Sequence, residues 1–152
     1  MRLHSVGANG KLCVHELQVP TAGNTVFGGT HGLFSTAHDY AQFCLMIAHN
    51  GRWNGNRVLK PETVSLIAQN HVVDLYNEKG AGFGLGFSVI LDPELMNRPG
   101  KRGQLQWGGY FSTHFFIDPQ AELIALAMTQ RMPANHQSLG ALLAEYAYEI
   151  VD

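Results

Sequence analysis

Charged residues are scarce in this chain. Ten Lys and Arg stand against twelve Asp and Glu among 152 residues, 14% of the total, and the formal net charge is −2 with neutral histidines. Without a basic run to meet phosphates, we expect no nucleic-acid partner. No apolar stretch is long enough to cross a membrane, and residues 1–5 lack the apolar segment of a signal peptide. The sequence therefore leaves the compartment open.

Cysteine is equally sparse, and the metal-binding patterns are missing. The two cysteines, Cys13 and Cys44, cannot form a disulfide framework. Cys44 falls on the apolar face of a predicted helix, where we expect an unreactive core thiol. Eight histidines are present, but no two have the three-residue gap of a helical metal site. We expect no metal and no cofactor.

What the chain does have is apolar residues, 45% of the total, in patterns typical of a folded core. We expect one domain over residues 1–152. The turn residues at 8–11 predict a hairpin with a short following strand. Thr36 and Asp39 have the spacing of a capping box and open a helix predicted over about 36–49. Pro61 suits the first turn of a second helix, which we expect to reach about residue 69.

The second half of the chain reads as strands and one final helix. Strict alternation over residues 83–91 predicts a single half-buried strand. A strand entering Trp107 follows, and residues 113–118 and 121–129 predict a hairpin. A C-terminal helix is indicated by five large apolar side chains at helical spacing, Leu139, Leu142, Leu143, Tyr146 and Ile150. Helices and strands cluster instead of alternating, so we expect an α+β fold with three or four antiparallel strands.

The stretch 106–113 is the most informative local feature. Paired glycines in a strand mark either a simple bulge or a place where a ligand or backbone comes close. Backbone amides at such an edge can stabilise a developing oxyanion. From this stretch alone, the simple bulge or turn is the favoured interpretation.

Four ordered segments resemble one enzyme family. Residues 28–40, GGTHGLFSTAHDY, are similar to the GG-x-GL-x-STA-x-DY segment of the serine β-lactamase-like hydrolases, which include class C β-lactamases, penicillin-binding proteins and family VIII esterases. Residues 54–64 resemble the NG-x-R-L-L-S-P-E-T-V segment of that family, and residues 82–87 resemble its strand signature. The WGG at 107–109, followed by FIDP at 116–119, resembles a variant of its third catalytic motif. The match is strongest over residues 28–130.

This resemblance implies a fold and a chemistry. The fold is a partial β-lactamase/transpeptidase-like architecture, with an antiparallel sheet, the C-terminal helix packed on it and two helices before the strands. The chemistry is acyl transfer from a small-molecule ester or amide through a serine ester. The backbone amide of Tyr110 would contribute to the oxyanion hole. The substrate wall would be formed by Trp107, Gly108, Gly109 and, from the glycine-rich loop, His31.

The chain departs from the family at the nucleophile. None of the six serines has a lysine three residues later, and no Y-x-N motif precedes the glycine-rich loop. We therefore expect a C-terminal portion in which the nucleophilic serine, its lysine and the tyrosine are absent, and which is inactive alone. A catalytically inactive binding or assembly module, or a fragment without a role of its own, are the alternatives. In the family, two strands and a helix from the N-terminal end complete the sheet. Here we expect an uncovered edge and face, and self-association or a complementing chain.

Several competing interpretations are weaker. A triad of Ser112, His114 and Asp118 fails because these residues lie on one strand and do not converge. Trp53 and the pair Phe115-Phe116 are expected in the core. Trp107 replaces the usual lysine of the third motif and carries no charge, which favours neutral esters or amides. The family is commonly bacterial and exported.

Overall fold

A computed structural model describes residues 2–17, 23, 25, 28–29, 32–76, 78–96, 98–132 and 136–151. The helices are α1 (Ala37–Ala48), α2 (Pro61–Ile67) and α3 (His136–Glu149). The strands are β1 (His4–Val6), β2 (Leu12–Val14), β3 (Arg52–Trp53), β4 (Asn56–Arg57), β5 (Ala81–Phe83), β6 (Ser88–Ile90), β7 (Leu105–Gly108), β8 (His114–Asp118), β9 (Leu123–Ala127) and β10 (Arg131–Met132). A 3-10 turn spans Pro93–Leu95.

The main sheet has five antiparallel strands in the order β5-β6-β7-β8-β9. Each strand pairs with its neighbour in sequence, so every connection is short and the sheet is a meander. A second, three-stranded sheet has the order β10-β1-β2, in which β1 runs parallel to β10 and antiparallel to β2. The predicted N-terminal hairpin is thus confirmed, and β1 also ties the start of the chain to residues just after β9.

Strands β8 and β9 of the main sheet are covered on both faces, by α1 on one side and α3 on the other, which gives three layers there. Alternate residues of β7 and β8, such as Leu105 and Phe115, face α1 and α2 and join a core with Cys44 and Ile47. Residues of the opposite parity, such as Phe116, face α3. The two-residue side-chain period of a strand produces both cores from one sheet. The predicted α+β fold with an antiparallel sheet is confirmed.

The first two helices begin where their sequence signals predict. The Thr36 side chain accepts a hydrogen bond from the Asp39 amide at 3.1 Å, and its hydroxyl donates to Asp39 Oδ2 at 2.9 Å. This cap satisfies an amide that the first turn leaves without an intrahelical partner. Pro61 occupies the first turn of α2. The predicted end of α2 near residue 69 was two residues too long.

The prediction of one continuous strand over residues 83–91 was wrong. The segment forms a hairpin between β5 and β6, closed by a bond from the Gly84 amide to the Phe87 carbonyl oxygen at 2.8 Å. Gly86 has a φ of +90° and Leu85 is exposed. A left-handed residue of this kind belongs to a tight turn and is tolerated there because glycine has no Cβ. The apolar alternation therefore continued through a turn.

The predicted apolar face of α3 was also wrong in part. The residues buried against the sheet are Gly140, Ala144, Ala147 and Tyr148, and the large side chains left exposed are Leu142, Tyr146 and Ile150. The reason is close packing: a Cβ on Gly140 would lie 2.7 Å from His114 Nε2. Small residues face the sheet and let the helix approach it closely. The large apolar residues Leu142, Tyr146 and Ile150 are left on the exposed side, where they form a row named here the α3 stripe.

Of the other residues predicted for the core, three are buried and one is exposed. Phe115 and Phe116 are buried as predicted, and so is Cys44. Trp53 is 42% exposed, with its indole Nε1 donating to Gln42 Oε1 at 3.0 Å, so its predicted place in the core was wrong. It lies on the small hairpin β3–β4, outside the three layers.

Candidate functional site

The WGG segment lies where strand β7 extends past one of its neighbours. On one side β7 pairs with β8 as far as Gly108, opposite His114. On the other side β6 pairs only with Leu105 and Gln106. Successive residues of a strand direct their amides to opposite sides, and the Gly109 amide donates toward β8, to Thr113, at 2.9 Å. The peptide groups of Gly108 therefore face the open side, beyond the end of β6.

A tight three-residue loop follows this edge. The Ser112 amide donates to the Gly109 carbonyl oxygen at 3.0 Å, and Ser112 has a φ of +61°. These features are typical of a type I turn followed by a left-handed residue. Tyr110 occupies the first central position of the turn. No described residue accepts a hydrogen bond from the Tyr110 amide. This amide is therefore free to donate to a ligand.

The loop is held in place by hydrogen bonds to Thr129, which follows β9, and to Arg131, which begins β10. The Thr129 hydroxyl lies 2.6 Å from the Ser112 carbonyl oxygen and 3.1 Å from that of Phe111. The Arg131 amide donates to the Phe111 carbonyl oxygen at 3.1 Å, and the Ser112 hydroxyl donates to the Arg131 carbonyl oxygen at 3.2 Å. A donor fixed in this way needs no reorganisation when charge develops on a substrate.

A cleft of about 740 Å³ adjoins the WGG edge. It is lined by Tyr76, Glu78, Lys79, Ser88, Arg98, Gln106, Trp107, Gly108, Gly109, Tyr110 and His114. The Trp107 ring meets Phe83 edge to face, with centroids 4.8 Å apart. The volume of the cleft lies in the range of small-molecule pockets. The four predicted residues Trp107 to Tyr110 thus share one concave surface.

Polar groups gather in the part of the cleft beside strands β6 and β7, where Ser88 lies opposite Gln106. Arg98 Nη2 donates to Glu78 Oε1 at 3.0 Å, while Arg98 Nε has no partner among the described residues. Burial raises the pKa of Tyr76; Ser88 and Arg98 oppose the rise and Glu78 adds to it. Ser88 lies directly opposite Gln106 in the β6–β7 pair, so these groups form a continuous patch.

A buried chain of hydrogen bonds connects the floor of the cleft to α3. Tyr148 lies at its centre, hydrogen-bonded to Asp118 Oδ2 and, at 2.9 Å, to Gln104 Oε1. Gln104 Nε2 donates in turn to Gln106 Oε1 at 3.3 Å. All four residues are less than 9% exposed. The network holds the side chain of Gln106 in place beneath the cleft.

The remaining predicted site residues do not all reach this surface. His31 lies outside the described residues. His114 lines the cleft and is buried beneath α3. Asp118 sits at the far end of β8, where Oδ1 accepts the amides of Gln120 and Ala121 at 2.9 and 3.0 Å. The triad of Ser112, His114 and Asp118 is therefore not formed.

Sequence reasoning missed the polar patch of Tyr76, Glu78, Arg98 and Gln106. For Gln106 a signal existed, because two glutamines flank the apolar Leu105 where strand β7 begins. Arg98 and Glu78 are 20 residues apart in segments without regular structure, and no local pattern joins them.

In the described part of the chain, His, Cys, Asp and Glu side chains form no group of three or more that could hold a metal ion. No helix described in the structure has the length and apolar character needed to cross a membrane.

Comparison with known proteins points to one family. The beta-lactamase family model matches residues 4–148. Protein Rv1367c of Mycobacterium tuberculosis is 37% identical over 114 residues, which is 67% of this chain and 28% of that protein. Esterase EstB of Burkholderia gladioli is 29% identical over 104 residues, 66% of this chain and 25% of that protein. These two relatives are bacterial.

Solved structures share the fold. Simvastatin synthase LovD from Aspergillus terreus, in its LovD6 mutant, superposes with a TM-score of 0.78 at 24% identity, covering 99% of this chain and 42% of that one. EstCE1, a hydrolase with promiscuous acyltransferase activity, gives a TM-score of 0.73 at 22% identity, covering 97% and 43%. The chain spans less than half the length of each of these relatives.

The matched family model extends over nearly the whole chain, and the four ordered sequence segments lie within the matched residues. The chain belongs to the beta-lactamase family.

Proposed function

We propose that this chain supplies the oxyanion-hole strand and substrate wall of a serine hydrolase or acyltransferase that acts on a small-molecule ester or amide. The serine hydroxyl would attack the substrate carbonyl carbon and the alcohol or amine would leave with a proton. Water or a second alcohol would then take the acyl group. The nucleophilic serine, lysine and tyrosine would come from polypeptide outside these 152 residues.

One observation carries this proposal: the free amide of Tyr110 at the end of β7. It lies beside the open edge of Gly108 and next to a cleft, and the turn that holds it is anchored by Thr129 and Arg131. An acyl-transfer site needs such a donor where negative charge develops on the carbonyl oxygen. The bare glycines beside it leave room for the substrate backbone or acyl group.

The missing nucleophile makes the proposal testable by complementation. The chain would be mixed or co-expressed with a family polypeptide that contains S-x-x-K and Y-x-N, and both would be treated with a fluorophosphonate probe. We expect labelling of the added serine and hydrolysis of p-nitrophenyl butyrate only when both pieces are present. Labelling of any of the six serines in the isolated chain would contradict the proposal.

The role of Tyr110 can be isolated by removing its amide hydrogen. Proline is favoured at the first central position of a type I turn, so Tyr110→Pro should keep the loop while deleting the donor. We expect kcat of the complemented enzyme to fall by about 10²–10³-fold, as for other oxyanion-hole donors. Tyr110→Ala retains the amide and is the matched control. Equal activity of the two variants would rule out this amide as a catalytic donor.

A second candidate, a catalytically inactive assembly module, is favoured by the α3 stripe of Leu142, Tyr146 and Ile150. Exposed apolar residues in a row on a helix are a typical interaction surface. The partner would be a second copy or the complementing chain. Sedimentation velocity distinguishes the cases: self-association that is lost in Leu142→Ser/Tyr146→Ser favours assembly. A stable monomer at high concentration argues against self-association.

A further inference from the structure

We infer that Arg98 forms a carboxylate-binding subsite in the cleft that Tyr110 also lines. It would select esters or amides that also carry a free acid group. The inference deepens the proposed function, on which its catalytic relevance rests, but binding at Arg98 can be measured without catalysis. Arg98 is largely buried, with a side-chain exposure of 11%.

The first argument is the half-used hydrogen-bonding capacity of Arg98. The guanidinium donates to Glu78 through Nη2 only, at 3.0 Å, and the neighbouring Nε is buried without a partner among the described residues. A guanidinium pairs best with a carboxylate when two parallel N–H groups donate to its two oxygens. The bond to Glu78 therefore leaves one arm of this fork unsatisfied.

The second argument is that Glu78 can be displaced. Its side chain is 39% exposed, much more than that of Arg98, and can turn into solvent while the cation stays in place. Ion pairs with an exposed partner contribute little stability, so replacing Glu78 by a ligand carboxylate costs little. An incoming carboxylate that accepts from both Nε and Nη2 would form the second hydrogen bond, to Nε, that Glu78 does not form.

The third argument is position. Arg98 lines the same cleft as Trp107 and Tyr110, so a substrate whose carbonyl lies at the turn can extend toward it. Trp107 carries no charge and cannot pair with an acid group. Recognition of a carboxylate at this site would therefore depend on Arg98, with Lys79 adding a second positive charge at the cleft. With Arg98 in this role, the substrate preference would be opposite to the neutral one that Trp107 alone suggests.

The test is a binding titration of the chain, followed by ¹⁵N NMR, with monomethyl succinate and its neutral analogue dimethyl succinate. We expect saturable shifts at residues lining the cleft with the acid only. Arg98→Gln should weaken binding at least tenfold. Glu78→Gln should strengthen it about two- to fivefold, because a competing carboxylate has been removed. The control is Arg102→Gln, which makes the same change in charge as Arg98→Gln but at an exposed arginine of the nearby loop.

The outcomes separate this inference from the proposed function. Equal binding of acid and diester, or an unchanged affinity in both Arg98→Gln and Glu78→Gln, would overturn the carboxylate subsite even if complementation restores activity. Acid binding with the predicted opposite effects of the two variants would support the subsite even if complementation fails. Glu78→Gln alone keeps the test decisive should Arg98→Gln not fold.

Discussion

The hydroxyl of Tyr148 is the atom through which α3 holds the floor of the cleft. In Tyr148→Phe the ring remains, stacked on Phe116 at 5.8 Å, but the hydroxyl whose single hydrogen is shared by the buried oxygens Asp118 Oδ2 and Gln104 Oε1 is lost. A hydrogen bond to a charged group contributes about 1.5–3 kcal/mol. Asp118 keeps two backbone donors at its other oxygen, so we expect a loss of about 2–3 kcal/mol. For a chain of this length that lowers Tm by about 5–10 °C.

Urea unfolding followed by circular dichroism would measure the change as a shift in midpoint at constant m. Tyr146→Phe is the matched control, because Tyr146 is on the same helix but 62% exposed, and we expect a change within about 0.5 kcal/mol. The side-chain amide signals of Gln104 and Gln106 should shift in Tyr148→Phe alone. A Tyr148→Phe protein as stable as Tyr146→Phe would refute the energetic role of the network.

Three further predictions concern packing and titration. Gly84→Ala should destabilise the fold by about 1–3 kcal/mol, since its Cβ would lie 2.0 Å from an α2 carbonyl oxygen, whereas Gly29→Ala has open space and should be neutral in the same denaturation assay. Iodoacetamide should modify exposed Cys13 and spare buried Cys44 until denaturant is added, which mass spectrometry reports; equal labelling would contradict the burial. Burial raises the pKa of Tyr40 from 10.0 and that of Cys44 from 9.0, each to about 12. Both groups are neutral when protonated and the folded state holds the proton more tightly, so their contribution to the free energy of unfolding should be constant below pH 9 and fall from pH 9 to 12, with the fall reduced in Cys44→Ala.

The elements that could be predicted from sequence are those with local causes. Thr36 caps α1 and Pro61 opens α2 through interactions within a few residues, so their positions follow from the chain alone. The WGG segment was found for a different reason: its resemblance to a family motif carries information about its surroundings that periodicity does not. The residues from Trp107 to Tyr110 do share one surface. The role of His31, which lies outside the described residues, stays a prediction.

The failures have nonlocal causes. Residues 83–91 alternate through a turn because Gly84 must clear α2 and Gly86 must be left-handed, and neither requirement is visible in a hydrophobic pattern. The buried face of α3 was missed because Gly140 is selected by the His114 ring on a distant strand. The partnership of Arg98 and Glu78 likewise depends on how two loops meet. The contacts that require a small or a charged residue at these positions exist only once the sheet has formed.

The hydrogen-bond chain from Asp118 through Tyr148 to Gln106 also has a consequence for the order of folding. The meander joins strands that are neighbours in sequence and can form from local contacts. Tyr148 is 44 residues from Gln104 and reaches it only when the last helix docks. Until that step both glutamines are hydrated, and the cleft has no fixed floor. We therefore expect the binding surface to mature late, and amide exchange there to follow the opening of the C-terminal helix instead of the opening of the sheet.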